Sequence, residues 1–164
     1  MTETEKILSL LNSIPDPEVP VLTVTDLGII RDVNIISPDK SVEITITPTY
    51  SGCPAMDMIS TNIRATLLQH GYKDVIITKV LSPAWTTDWM TESGKEKLKA
   101  YGIAPPGKAG LADADVLFAE PAKVQCPQCN SYNTVLISEF GSTACKSLYK
   151  CVDCGEPFDY FKCH

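Results

Sequence analysis

The chain has 164 residues, enough for one ordinary domain or for a modest domain with a small second module. Its 14 Lys and Arg against 20 Asp and Glu give a net charge of −6, which argues against a protein that binds nucleic acid by neutralising phosphates. No apolar run approaches the length of a membrane span and no secretory signal is visible, so we expect no membrane association and a cytoplasmic, reducing location.

The first part of the chain predicts alternating helices and strands. An amphipathic helix with an apolar stripe from Ile7 to Ile14 opens the chain, and Thr2 and Glu5 have the spacing of a capping box. Strands are predicted over residues 29–36, 42–47 and 75–80, and helices over residues 54–70 and 92–101. This α-β-β-α-β-α order predicts an α+β fold, in which a small mixed sheet carries packed helices.

Cysteine is distributed unevenly along the chain. Residues 104–110 are rich in proline and glycine and predict a linker or an irregular loop. Six of the seven cysteines lie beyond this segment, in the last 39 residues. We therefore predict two modules, residues 1–120 and residues 121–164, with a boundary near Glu120–Pro121.

The cysteine-rich tail contains two CxxC pairs, Cys126 with Cys129 and Cys151 with Cys154, separated by 21 residues. Two such loops supply the four thiolates of a tetrahedral site, so the pattern predicts one structural zinc ion in a zinc ribbon. The residues after the two pairs, Asn130 and Gly155, are types that tolerate the left-handed backbone of such a loop. Strands are expected over residues 133–140, 145–150 and 157–161.

Two alternatives stay open for the tail. The same spacing fits a rubredoxin iron site; we favour zinc, although four thiolates alone do not choose between the two metals. Cys145 and Cys163, next to the terminal His164, are additional thiols. We expect Cys145 to be a buried strand residue and Cys163 to fray with the terminus, and the alternative is a second thiol site beside the ribbon.

Cys53 is the single cysteine of the first module and follows a predicted strand in the sequence Thr49-Tyr50-Ser51-Gly52-Cys53-Pro54. Pro54 suits the first helical position, which places Cys53 at about the N-cap. There the helix dipole and free N–H groups are expected to lower the thiol pKa, and Gly52 is expected to leave the sulfur approachable. The alternative is a plain N-cap thiol without chemistry.

Several motifs resemble known families. Asp16-Pro17-Glu18, Asp26-Leu27-Gly28 and the Gly-Cys-Pro motif at Cys53 resemble a widespread family of Fe–S assembly domains. The segment Trp85-Thr86-Thr87-Asp88-Trp89-Met90 and the tail with its two CxxC pairs look like the PaaD-type family of bacterial phenylacetyl-CoA epoxidase systems. The resemblance covers essentially the whole chain.

The resemblance implies an accessory, non-catalytic protein that helps a multicomponent oxygenase acquire its metal centres in phenylacetate degradation. It implies Cys53 as the functional thiol, with Asp26 from the second motif, and a transient iron ion or Fe–S cluster as cargo. The implied partners are the oxygenase subunit, the reductase subunit or both, and a homodimer stays open. The alternative is a direct electron-transfer component with a rubredoxin-like centre in the tail.

Trp85 and Trp89 are four residues apart and would share a face if that segment were helical. Core packing is one interpretation, since Trp is buried in most folds. The other is an aromatic anchor for a partner protein.

Overall fold

A computed structural model of the chain describes residues 1–37, 39–107 and 123–162. They form two compact units, the first from Met1–Trp85 and Trp89–Gly94, the second from Thr86–Asp88 and the described part of Lys95–His164. The predicted boundary near Glu120–Pro121 lies outside the described residues and stays a prediction. The helices and strands are α1 (Glu3–Leu11), β1 (Ile30–Ser37), β2 (Ser41–Ile46), α2 (Ala55–Gln69), β3 (Asp74–Lys79), a 3₁₀ turn (Thr87–Trp89), α3 (Glu92–Tyr101), β4 (Ile103–Ala104), β5 (Thr134–Ser138), β6 (Lys146–Cys151) and β7 (Pro157–Phe161).

The first unit is built on a three-stranded sheet in the order β1-β2-β3. β1 and β2 are antiparallel, and β2 and β3 are parallel, joined through α2. The sheet is therefore mixed, as predicted. Pro38, between β1 and β2, lies outside the described residues.

Helices α1 and α2 cover one face of this sheet with apolar side chains. The central strand β2 buries alternate residues, and α2 buries a stripe at helical spacing. The residues concerned are Val42, Ile44 and Ile46 on β2 and Met56, Ile59, Ile63 and Leu67 on α2. Burial of this set from water is the main stabilising contribution to the unit.

The first helix has the predicted start but an earlier end. The Thr2 hydroxyl accepts the Glu5 N–H over 3.2 Å, and the Thr2 N–H donates to the Glu5 carboxylate over 2.6 Å, which confirms the capping box. The helix ends at Leu11, whereas the apolar stripe predicted an extension to Ile14. Ile14 is buried by a turn, in which its N–H donates to the Leu11 carbonyl over 3.0 Å.

Thr47 carries a buried hydroxyl directly after β2. It is 1% exposed, and among the described residues its Oγ1 lacks a hydrogen-bond partner. We expect Thr47→Val, which keeps the shape and removes the hydroxyl, to raise the free energy of unfolding by about 1 kcal/mol. Urea unfolding measures this, and Thr78→Val is the control that loses stability, because the Thr78 hydroxyl donates to the Glu43 carboxylate over 2.6 Å. A loss of stability in Thr47→Val would show that the hydroxyl does have a partner.

The second unit is built on a four-stranded sheet in the order β4-β7-β6-β5. β5, β6 and β7 are antiparallel neighbours, while β4 pairs with β7 in parallel. One face packs a small core that includes two of the predicted metal ligands: Ala104, Val124, Cys126, Tyr149, Cys151 and Phe158. Tyr149 stacks against Phe158 with ring centroids 6.0 Å apart.

The prediction of irregular structure from residue 104 onward is wrong at its start. Ala104 is 1% exposed and belongs to β4, where it pairs with Tyr160 of β7. Pro105 and Pro106, which cannot extend such a pairing regularly, follow at once. The rest of the predicted linker from residue 108 lies outside the described residues. Across the described ranges, no helix combines the length and the apolarity needed to cross a membrane.

Candidate functional site

The four cysteines of the two CxxC pairs meet at one point of the second unit. The sulfurs of Cys126, Cys129, Cys151 and Cys154 all lie within 4.8 Å of one another. Two of these separations are 3.5 Å, between Cys129 and Cys151, and 3.8 Å, between Cys126 and Cys154. Metal–sulfur bonds of about 2.3 Å in a regular tetrahedron require sulfurs about 3.8 Å apart. The donor set and its spacing therefore fit a tetrahedral four-thiolate metal site.

Each CxxC pair lies in a tight loop whose last turn is left-handed. Asn130 has φ of 62° and Gly155 has φ of 76°, which confirms the prediction from their residue types. The Asn130 N–H donates to the Cys126 carbonyl, and the Gly155 N–H donates to the Cys151 carbonyl, each over 3.0 Å. The two loops thus share these backbone features, and each contributes two sulfurs to the cluster.

Asp153 connects the two loops. Its carboxylate accepts hydrogen bonds from the Ser131 hydroxyl and, over 2.8 Å, from the Asn133 side chain. These bonds lower the pKa of Asp153, so the connection is made by a carboxylate. Asp153 lies between Cys151 and Cys154 in sequence. Its hydrogen bonds therefore connect the second CxxC loop to Ser131 and Asn133, which follow the first CxxC loop.

The four thiols lie so close together that their thiolates would repel one another, so they cannot all ionise without a compensating positive charge. The Cys154 N–H, with neighbouring donors, lowers the pKa of Cys151 to about 7. The Ser131 N–H also lowers the pKa of Cys129, but the neighbouring thiols and the loss of water outweigh it and raise that pKa to about 12. Cys151 therefore ionises more readily than an ordinary thiol, and a cation at the centre would stabilise the thiolate form of the other sulfurs.

Cys145 is not one of the four cysteines whose sulfurs converge. Cys145 is 4% exposed, but it lies in the turn before β6, not within a strand as predicted. Its sulfur is 3.0 Å from the Thr143 hydroxyl. Cys163 and His164 lie outside the described residues.

Cys53 lies in the turn that connects β2 to α2. Its N–H donates to the Tyr50 carbonyl over 3.3 Å, and Pro54 is the N-cap residue of α2. Cys53 thus precedes the N-cap by one residue, close to the position at about the N-cap that the sequence predicted. Gly52 has φ of 79° and makes the expected sharp turn, but the Cys53 side chain is buried, with 9% of the residue exposed.

The expected low pKa of Cys53 is wrong. Burial raises the pKa of this thiol above its ordinary value, and the negative charge of Glu18 adds to the rise. The Ala55 N–H and the hydroxyls of Tyr50 and Thr49 lower it, but they do not overcome burial. Cys53 is therefore a protonated thiol at neutral pH.

Asp26 holds two segments of the first unit together. It is 4% exposed, and its carboxylate accepts the Thr23 N–H over 3.0 Å and the Thr91 hydroxyl over 3.1 Å. Its carbonyl accepts the Thr91 N–H over 2.9 Å. These contacts give Asp26 a structural role, and its part in metal handling stays a prediction.

The two tryptophans have different environments, and the segment that carries them is a 3₁₀ turn over Thr87–Trp89. Trp85 is 3% exposed, and its indole N–H donates to the Leu27 carbonyl over 2.8 Å, as expected for core packing. Trp89 is half-buried, and the Arg31 guanidinium lies 3.6 Å from its ring centroid.

Comparisons with known proteins match both parts of the chain. The family described as "Iron-sulfur cluster assembly protein" matches residues 4–76, and the "PaaD zinc beta ribbon domain" matches residues 112–162. A protein of Escherichia coli, provisionally named as the D component of 1,2-phenylacetyl-CoA epoxidase, is 51% identical over 161 residues, which are 98% of this chain and 93% of that protein. This chain belongs to the PaaD-type family of phenylacetyl-CoA epoxidase proteins.

Two further known proteins match the first part of this chain. The Fe-S protein maturation auxiliary factor of Porphyromonas gingivalis is 37% identical over 95 residues, 57% of this chain and 89% of that protein. The crystal structure of a domain of unknown function from Bacillus anthracis superposes with a TM-score of 0.54 at 25% identity, over 57% of this chain and 89% of that chain. The predicted fold, α+β with a zinc ribbon, is thus confirmed.

Sequence reasoning did not single out three residues next to the candidate sites. Glu18 belongs to a motif noted for its resemblance, but only the fold brings its charge to Cys53. Tyr50 and Asp153 each lie within three residues of a cysteine, yet only the structure shows what their side chains contact. The signal available in the sequence was proximity to the cysteines, which does not reveal hydrogen-bond partners.

Proposed function

We propose that this chain is an accessory maturation factor of a phenylacetyl-CoA epoxidase system and is not itself catalytic. Its task is to help the oxygenase subunit, the reductase subunit or both acquire iron or an Fe–S cluster. The observation that carries the proposal is the position of Cys53, a thiol outside the ribbon in the part of the chain that matches the iron-sulfur cluster assembly family. The cytoplasm, where thiols stay reduced, is the proposed location.

The resident metal of the ribbon is proposed to be zinc, held by Cys126, Cys129, Cys151 and Cys154. Zinc would supply a structural cross-link between the two loops and no redox chemistry. Cys126 and Cys151 are fully buried in the small core, so the ligands also contribute to packing. The ribbon thereby presents a fixed surface, while metal handling falls to the other unit.

The environment of Cys53 suits transient binding of a soft metal. A buried, protonated thiol is a poor nucleophile, which protects it from oxidation and alkylation. Displacement of its proton by iron makes the same sulfur a thiolate ligand, and nearby hydroxyls stabilise that thiolate. Such a site binds metal reversibly, because release restores a neutral thiol in its preferred buried state.

The second candidate function is direct electron transfer through an iron-loaded ribbon. The observation that favours it is the exposure of Cys129 and Cys154, which leaves one side of the four-thiolate site open to a redox partner. Metal analysis of the purified protein separates the two functions. One zinc per chain without visible absorbance supports the maturation factor, and stoichiometric iron with a reversible colour change supports electron transfer.

The maturation role predicts a specific defect in Cys53→Ser. This variant keeps the size of the side chain and replaces the soft ligand, so we expect the protein to fold and to retain its ribbon metal. Co-expressed with the oxygenase and reductase subunits, it should leave at least one of them deficient in iron or cluster. The measurements are metal content of each purified subunit and epoxidase activity.

The matched control is Cys145→Ser, which changes another buried cysteine outside the four-thiolate site. We expect it to support full metal content in both partners. Normally metallated but inactive partners with Cys53→Ser would indicate a direct role in turnover. Normal metal content together with normal activity would contradict the assignment of Cys53.

A further inference from the structure

The outermost strand of the second unit carries exposed apolar side chains. Among the described residues, β5 pairs with β6 alone, at the end of the order β4-β7-β6-β5. Val135 and Ile137 are 49% and 53% exposed, and they alternate with half-buried residues, of which Leu136 packs against the small core. The pairing with β6 is irregular after Leu136, but this alternation of burial continues to the end of the strand.

The backbone of Leu136 faces away from β6. The Val152 N–H donates to the Asn133 carbonyl over 2.8 Å, which gives a hydrogen-bonded pair at the end of the β5–β6 ladder. Hydrogen-bonded and non-hydrogen-bonded pairs alternate along an antiparallel ladder, so Leu136 and Tyr149 form a non-hydrogen-bonded pair. The N–H and carbonyl of Leu136 therefore point to the outer edge of the sheet.

The other edge strands of the described residues are protected against pairing with a further strand. Charged side chains, short length and proline are the usual devices. β1 carries Arg31 and Asp32, and β3 carries Asp74 and Lys79. β4 has two residues and is followed by two prolines. β5, with the sequence Thr-Val-Leu-Ile-Ser, has five residues, no charge and no proline.

The sequence of β5 reads almost the same in both directions. On the two sides of Leu136, Val135 corresponds to Ile137 and Thr134 corresponds to Ser138. If two copies of the strand pair antiparallel about a two-fold axis at Leu136, each residue lies opposite its counterpart. Every pair then joins side chains of one kind, β-branched aliphatic with β-branched aliphatic and hydroxyl with hydroxyl.

The same correspondence continues beyond the ends of the strand. Tyr132 and Phe140 are each four residues from Leu136, and they are 60% and 61% exposed. Between them, Asn133 corresponds to Glu139, which is the single charged residue of residues 132–140. Like charges placed opposite each other destabilise paired strands, and this register contains no such pair.

We propose that β5 is a self-association edge, on which a second copy of this chain pairs its own β5 antiparallel about Leu136. The two four-stranded sheets then form one sheet of eight strands. The Leu136 N–H of each copy donates to the Leu136 carbonyl of the other, and Val135 of each copy contacts Ile137 of the other. The paired segment is short, so the dimer should dissociate on dilution.

The test is sedimentation velocity of the zinc-loaded full chain over a series of concentrations, and we expect a monomer–dimer equilibrium. V135K/I137K places lysine opposite lysine in the proposed register and should raise the dissociation constant of the dimer about tenfold or more. V135K/I137E places lysine opposite glutamate at the same positions and should keep that constant within about threefold of the wild-type value. The zinc content of each variant checks that its ribbon is folded.

The matched control is L68K/I76K, which adds two lysines at exposed apolar positions of the first unit. It should leave the dissociation constant unchanged. A wild-type chain that stays monomeric at every concentration would overturn the proposal. So would equal dissociation constants for V135K/I137K and V135K/I137E, because this register requires the second variant to dimerise and the first to stay monomeric.

Hydrogen exchange of the wild-type chain, followed by NMR, tests the edge without a substitution. The exchange of the Leu136 amide should slow as the protein concentration rises, while amides of the central strand β2 should exchange at a constant rate. An exchange rate of the Leu136 amide that does not depend on concentration would contradict self-pairing. Slowing only after addition of an oxygenase or reductase subunit would assign the edge to a different protein and would also overturn the proposal.

Discussion

Replacement of any one of the four ribbon cysteines by Ser should release the metal and unfold the second unit's three-stranded ribbon. A structural zinc site contributes about 10–16 kcal/mol of apparent folding free energy in small zinc modules, far more than a core of this size supplies. Cys126 and Cys151 are also buried, so their loss leaves a polar hydroxyl among Tyr149 and Phe158. We therefore expect unfolding in all four variants.

Both tryptophans belong to the first unit, so tryptophan fluorescence follows that unit separately. We expect Cys126→Ser and Cys154→Ser to lose bound metal, measured by mass spectrometry of the metal, while the fluorescence unfolding transition remains. Cys145→Ser is the control that should keep full metal content. Full metal content in all four ligand variants would show that the ribbon assignment is wrong.

Gly28→Ala should be the most damaging single substitution in the first unit. Gly28 has φ of 69°, and an added Cβ would lie 2.0 Å from the Trp89 carbonyl oxygen and 2.7 Å from its carbonyl carbon. Both atoms are backbone and cannot move aside as a flexible side chain would. We expect a loss of about 3–5 kcal/mol in the free energy of unfolding, because left-handed strain and a backbone clash act together.

Gly52→Ala is the matched control for this substitution. Gly52 has φ of 79° but nothing within 4 Å of the added Cβ, so its cost is restricted to backbone strain of about 1–2 kcal/mol. Urea unfolding followed by tryptophan fluorescence compares the two variants. Equal losses would contradict the contact between Gly28 and the Trp89 backbone as the decisive feature.

The Asp-Leu-Gly motif and the tryptophan segment contact each other at three successive residues. Asp26 accepts the Thr91 hydroxyl, Leu27 accepts the Trp85 indole N–H, and Gly28 allows the Trp89 backbone to approach. Sequence reasoning treated the two motifs separately, since nothing local relates them. Their joint role is to fix one segment of the first unit against another.

The ribbon is the part of the molecule that the sequence determined most completely. The CxxC spacing identified the four cysteines whose sulfurs converge, and the residue types at Asn130 and Gly155 identified the left-handed turns. This succeeded because the site is assembled from short loops, in which residue spacing and backbone conformation are local properties. The helices and strands of the first unit were likewise predicted by apolar periodicity, with end positions that differed by a few residues.

The tertiary structure alone decided the environment of Cys53 and the strand pairing of Ile103–Ala104. The local sequence predicted a low pKa from the start of α2, but packing buries the sulfur and brings in Glu18 from a distant part of the chain. Packing likewise gives Ile103–Ala104 a strand partner in β7, although the following prolines predicted a linker. The charges near a side chain, its burial and the pairing of a strand depend on which distant residues become neighbours. Apolar periodicity and the spacing of cysteines are local properties that can be read from the sequence.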